Sequence, residues 1–138
     1  MSLILLFIQQ LFIQIYLFLS NNQILKLTYK CYFCLCMDLT QKEWLSGHEN
    51  DSNSVIVDVR TSGEYLEGHI QNSILIDITK TETFIEKLNS LDKSTSYYVY
   101  CRSGQRSSKA CYLMQQLGIK TTYNLVGGVL EWEGDLVK

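Results

Sequence analysis

From Val55 onward, short runs of β-branched and aromatic residues recur, each separated from the next by a stretch with helical spacing. Val55-Ile56-Val57, Ile74-Leu75-Ile76, Tyr97-Tyr98-Val99-Tyr100 and Thr122 to Val126 are largely continuous rather than alternating in character. That pattern suits strands buried on both faces. Thr40 with Glu43, Thr61 with Glu64, and Thr79 with Glu82 have capping-box spacing, in which each side chain satisfies the other residue's backbone N–H at a helix start. Phe84, Leu88 and Leu91 then mark one apolar helix face, and Ala110, Leu113, Met114 and Leu117 another, which Gly118 ends. Strands alternating with helices at this density need crossover connections. Residues 37 to 138 are therefore expected to form one α/β domain with a mainly parallel central sheet and helices on both faces.

The chain of 138 residues has a second, unlike part. Residues 1 to 36 carry only Lys26 and Lys30 as charges and contain no Gly, Ala, Pro, Asp, Glu, Arg or His. Within them, residues 3 to 19 are apolar except for Gln9, Gln10 and Gln14, roughly the shortest length that crosses a bilayer. A secretory signal would want basic residues before this run and small residues after it, and neither is present. A membrane anchor fits the run, and Lys26 and Lys30 would then hold the rest on the cytoplasmic side. Translation starting at Met37 fits the composition, which is that of AT-rich non-coding sequence. The anchor and the upstream-translation readings both stay open, with the domain expected in the cytoplasm.

A net charge of −2 gives no broad cationic surface, so a nucleic-acid partner is not expected. The five cysteines (Cys31, Cys34, Cys36, Cys101 and Cys111) are odd in number and too sparse for a disulfide scaffold, which favours a reducing compartment. Cys31 and Cys34 have zinc-like spacing without a second pair to complete four ligands, so no metal is expected.

In an open parallel sheet, ligands sit beyond the carboxyl ends of the strands. At one such end Tyr100 passes into Cys101-Arg102-Ser103-Gly104-Gln105-Arg106 and on into a helix. A sulfur there would face unpaired N–H groups and the positive end of the helix dipole, with Arg102 and Arg106 adding charge. Such surroundings lower a thiol from its ordinary pKa near 8.5 towards about 3.5 to 7.5, so that the thiolate predominates. Gly104 would let the backbone curl into an anion-holding nest. Cys111, inside the helix beside Ala110 and away from charge, reads as a packing residue.

The chain from Met37 resembles the rhodanese family of sulfurtransferases. Cys101 to Arg106 is similar to that family's six-residue active loop, which begins with the persulfide-carrying cysteine. Val57-Asp58-Val59-Arg60 with Glu64-Tyr65 and Gly68-His69-Ile70 resembles its first signature, and Leu125-Val126-Gly127-Gly128 with Trp132 its closing one. Where the family commonly continues with Pro-Gly-Ala, this chain has Gln71-Asn72-Ser73, a change expected to affect only a turn. The resemblance implies a rhodanese-like fold and thiosulfate sulfurtransferase chemistry without metal or organic cofactor. Cys101 would be the nucleophile; Arg102, Ser103, Gly104, Gln105 and Arg106 would form the anion-binding loop. Asp58 and Arg60 would pair as supporting framework, His69 would be structural, Gly127 and Gly128 would reverse the chain, and Trp132 would cover the domain edge or core. The implied partners are a small anionic sulfur donor and a thiol, cyanide or sulfur-relay protein as acceptor. Two rivals are a non-enzymatic binding module, against which the presence of Cys101 argues, and a cysteine phosphatase, whose phosphate loop is longer than Arg102-Ser103-Gly104-Gln105.

Overall fold

The computed structural model describes residues 36–138. The expectations for residues 3 to 19, including the membrane anchor, and for Cys31 with Cys34 lie outside the described residues. Among the described residues, no helix is long and apolar enough to cross a membrane. The elements run β1 (Cys36–Leu39), α1 (Gln41–Asn50), β2 (Ser54–Asp58), α2 (Ser62–Glu67), β3 (Ile74–Leu75), α3 (Thr81–Ser90), β4 (Ser96–Tyr100), α4 (Gln105–Gln116) and β5 (Thr121–Leu125), followed by a 3₁₀ turn at Gly128–Glu131. The five strands lie in the order β1-β5-β4-β2-β3, and every pairing is parallel. The architecture is α/β, a wholly parallel sheet with helices packed on both faces, as the alternation of strands and helices led one to expect.

Successive residues of the inner strands point to opposite faces and feed two separate cores. On one face Val57, Tyr97 and Val99 pack with Phe84 and Leu88 of α3 and with Ala110, Cys111 and Met114 of α4. On the other, Ile56, Tyr98 and Tyr100 pack with Trp44 of α1 and with Leu125, edged by Val129 and Trp132. Trp44 is the hub of that second core, meeting Tyr98, Tyr100 and Trp132 edge to face at 5.5, 6.4 and 6.1 Å. Burial on both sides explains why these strands carry uninterrupted runs.

The capping boxes of Thr40 with Glu43 and Thr61 with Glu64 form in both directions. The third does not. Asp77 Oδ1 instead accepts from the Thr79 backbone N–H at 2.9 Å and from its hydroxyl at 2.6 Å, so Thr79 is held in an Asx turn. The helix starts two residues later, after Lys80, without a side-chain cap. An acid two residues upstream competes for the same threonine, and proximity decides.

Helix α4 closes with a full Schellman arrangement. Gly118, at φ 90°, donates to Gln115 O at 2.9 Å, and Ile119 N donates to Met114 O at 3.0 Å, while Met114 and Ile119 share the core. In the turn Gln71-Asn72-Ser73, Asn72 takes the left-handed conformation, with φ 63°. Asparagine is among the few non-glycine residues that tolerate it, so the departure from Pro-Gly-Ala is absorbed in the turn. Strand β1 had no counterpart in the sequence reading; it begins at Cys36, which pairs with Thr122, one residue ahead of the boundary drawn at Met37.

Candidate active site

Strand β4 delivers Cys101 to the carboxyl edge of the sheet, and the chain turns at Gly104 into α4. Gly104 has φ 88° and ψ −15°, a left-handed conformation, and a β-carbon there would lie 3.0 Å from Leu125 O. Glycine is thus required for both conformation and space. The turn folds the loop back over the sulfur: Gly104 N–H donates to Cys101 Sγ at 3.2 Å and the Ser107 hydroxyl donates at 3.4 Å. Cys101 is fully buried, while Arg102, Ser103 and Gln105 of the same loop are exposed.

Burial opposes ionisation of the Cys101 thiol and is the largest single influence on it. The Ser107 hydroxyl and the backbone N–H groups of Ser107, Ser103 and Gly104 together outweigh it, and the thiol pKa falls below its ordinary value. The largest lowering contributions therefore come from neutral donors. Of the two arginines expected to charge the pocket, Arg106 reaches the Cys101 thiol and interacts with it through charge and a hydrogen bond. Arg106 also forms a bidentate ion pair with Glu64 of α2, at 2.9 and 2.7 Å, and Arg102 is exposed. Glu64 is held near pKa 2, first by its hydrogen bond from Arg106 and further by the Thr61 cap. One carboxylate thus caps the start of α2 and ties that helix to the loop.

The back of the loop is held by the 3₁₀ turn. Val129 N donates to Cys101 O and Leu130 N to Arg102 O, both at 3.0 Å. Gly127 and Gly128, at φ 77° and 58°, reverse the chain to bring the turn there. A β-carbon on Gly128 would collide with the Cys101 carbonyl oxygen and the Arg102 backbone. Its role exceeds chain reversal, because it is where two backbones touch.

Asp58 and Arg60 form a buried pair: both oxygens of Asp58 receive the guanidinium at 2.7 to 3.0 Å, and the Arg60 backbone N–H donates to Oδ1 at 2.8 Å. Arg60 also donates to Gly68 O at 2.7 Å and lies over the Tyr100 ring at 5.5 Å. The pair fastens the segment after α2 to the end of β4, and neither residue touches the sulfur. His69 stacks on Tyr65 with ring centroids 3.7 Å apart, and its Nδ1 lies 3.1 Å from Tyr65 O. A cavity of about 90 Å³ lined by Ser62, Asp77, Lys80 and Lys87 among others contains no residue of the Cys101 loop.

Ser107, Glu64 and Gly128 contribute to the site beyond what sequence reasoning assigned. Ser107 sits in the third position of α4, where a side chain points back towards the helix start. That position was the available signal. Nothing local links Glu64 to Arg106, 42 residues away.

A family model described as a rhodanese-like domain matches residues 41–135. YtwF of Bacillus subtilis, provisionally named a sulfurtransferase, is 37% identical over 87 residues, covering 63% of this chain and 81% of that one. YrkF of the same organism, provisionally named a sulfur carrier protein, is 33% identical over 62% of this chain and 45% of its own length. The tRNA uridine(34) hydroxylase of Pelagibacter ubique is 30% identical over 64% of this chain, which spans only 30% of that enzyme. Among solved structures, a rhodanese-like domain protein from Staphylococcus aureus superimposes with a TM-score of 0.63 at 34% identity, covering 73% of this chain and 96% of that one.

Proposed function

The chain belongs to the rhodanese-like domain family, and from that premise we propose that it is a sulfurtransferase working through a persulfide on Cys101. The observation that carries the reading is the sulfur itself, which accepts N–H and O–H donors at the start of α4 and is acidified by them. A thiolate is the attacking species in sulfur transfer.

With thiosulfate as donor, the Cys101 thiolate attacks the outer sulfur. The new S–S bond forms as the old one breaks, and sulfite leaves with the bonding pair. The enzyme then carries Cys–S–S⁻. An acceptor thiolate or cyanide attacks the terminal sulfur and leaves with it, restoring the thiolate. The charge stays on sulfur next to the same amide donors throughout, so the loop stabilises thiolate and persulfide without rearranging. Arg102, exposed on the loop, meets an incoming dianion; Ser103 and Gln105 frame its entry. Arg106, held in place by Glu64, lends its charge to the Cys101 sulfur and to the incoming anion. Asp58 and Arg60 hold the underlying frame. No step calls for a metal or organic cofactor.

The supporting relatives divide between a sulfurtransferase name and a sulfur carrier name. A protein acceptor is therefore the second reading, in which Cys101 hands its sulfur to a partner's thiol rather than to a small molecule. Both share the first half-reaction. Treating the full chain with thiosulfate should add the mass of one sulfur atom, and Cys101→Ser should add none. Retention of the added sulfur by the serine variant would remove Cys101 from the mechanism. A persulfide that forms but is discharged slowly by cyanide and rapidly by a protein thiol would select the relay. Residues 37 to 138 are proposed to carry this activity, with the domain in a reducing compartment.

A further inference from the structure

A second group of thiols lies at the other end of the sheet from the Cys101 loop. Cys36 opens β1 and stands in register with Thr122 of β5, which in turn pairs with Tyr97 of β4. Tyr97 precedes Cys101 by four residues on the same strand, or roughly 13 Å of extended chain. On the facing helix, Gln115 of α4 donates to Thr122 Oγ1 at 2.9 Å, and Cys111 lies one turn earlier on the same helix face. Cys36 packs against the core cluster that contains Cys111. Two thiols, one from an edge strand and one from a helix, thus meet around the Thr122 hydroxyl.

We propose that Cys36 and Cys111 are a redox pair that closes to a disulfide joining β1 to α4, independently of the sulfur-transfer reading. Their exposures differ in the way such a pair requires: Cys36 is half-buried, and Cys111 is fully buried. Hydrogen bonding from Cys111 lowers the Cys36 thiol, while the same contact together with burial pushes Cys111 up. The accessible sulfur is therefore the one that ionises first, as an attacking thiol should.

With a peroxide as oxidant the steps balance. The Cys36 thiolate attacks one peroxide oxygen; an S–O bond forms, the O–O bond breaks, and hydroxide departs to be protonated to water. Cys111 then attacks the sulfenic sulfur; the S–S bond forms, the S–O bond breaks, and the departing hydroxide takes the Cys111 proton as a second water. The two thiols lose two electrons in total and hydrogen peroxide gains them.

The test treats the full chain with hydrogen peroxide, blocks residual thiols and digests with trypsin under non-reducing conditions. The expected product joins the peptide of residues 31–42 to that of residues 110–120, is two hydrogens lighter than their sum, and disappears on reduction. A Cys31→Ser, Cys34→Ser double variant should still give it. Cys36→Ser should lose it and leave Cys111 a free thiol. Cys111→Ser should instead leave Cys36 as a sulfenic acid that dimedone traps. The proposal is overturned if Cys111 stays reduced while Cys36 proceeds to sulfinic acid, or if Cys111 is found joined to Cys31, Cys34 or Cys101. Slower amide exchange at Cys36–Leu39 after oxidation is the accompanying expectation, because an edge strand paired on one side alone would gain a second attachment.

Discussion

Cys101, just ahead of α4, and Cys111, within it, are both fully buried and belong to the same core cluster, yet their thiols are shifted in opposite directions. Burial pushes each of them up. At Cys101 the Ser107 hydroxyl and three backbone N–H groups more than offset it. At Cys111 the contact with Cys36 adds to it, and only Thr122 opposes. The difference teaches that a cysteine becomes a nucleophile by the donors and charge aimed at its sulfur, and that exposure is a poor substitute for them. Arg106 adds its charge to Cys101 while it is paired with Glu64.

The comparison breaks most decisively at the nucleophile. Cys101→Ser should lower thiosulfate sulfurtransferase turnover by about 10⁴-fold or more, whereas Cys111→Ser should leave it within about twofold of the parent once folded protein is matched; equal losses would erase the distinction between the two thiols. Next in size is Gly128→Ala, which forces a methyl into the Cys101 carbonyl oxygen and the Arg102 backbone. It should destabilise the fold by about 2–4 kcal/mol, read as a lowered urea midpoint, and an unchanged midpoint would mean the 3₁₀ turn does not press on the loop.

Glu64 is the carboxylate that holds Arg106 beside the loop. Its carboxyl is depressed from 4.5 to about 2, so the stabilisation it gives is present above pH 4.5 and is lost as pH falls towards 2. Because the pair is partly solvated, the loss should be about 1–2 kcal/mol. Denaturation followed from pH 6 to 2 should show a fall that Glu64→Gln lacks. Smallest is Ser107→Ala, which removes one donor and keeps the backbone ones. It should raise the Cys101 thiol pKa, read as a move of the alkylation-rate profile to higher pH, and leave Cys111 unreactive over the same range. No shift would place the whole effect in the backbone.

The parallel sheet, four of its strands and the loop after β4 were readable because each is written in contiguous residues: Tyr97-Tyr98-Val99-Tyr100 cannot face water on either side, and Gly104 sits where a left-handed turn is needed. Strand β1 escaped notice because Met37 and Asp38 are exposed and its four residues follow a segment of unlike composition. The start of α3 was misplaced because Asp77 and Glu82 both offer oxygens to Thr79, and spacing alone does not say which wins. The second partner of Arg106 was not legible for a related reason: it lies on another helix, and pairing across 42 residues leaves no local trace.

The two hydrogen bonds on the rear of the loop, from Val129 to the Cys101 carbonyl and from Leu130 to that of Arg102, carry a consequence for how this site could change over evolutionary time. A peptide unit that rotated by half a turn would present an oxygen lone pair to the sulfur and repel the very anion it now favours. With the Arg102 oxygen anchored from behind, the Arg102–Ser103 peptide, whose N–H acts on the sulfur, cannot make that rotation. Side chains along the mouth are then free to vary and select new sulfur donors, while the polarity of the floor beneath them stays the same.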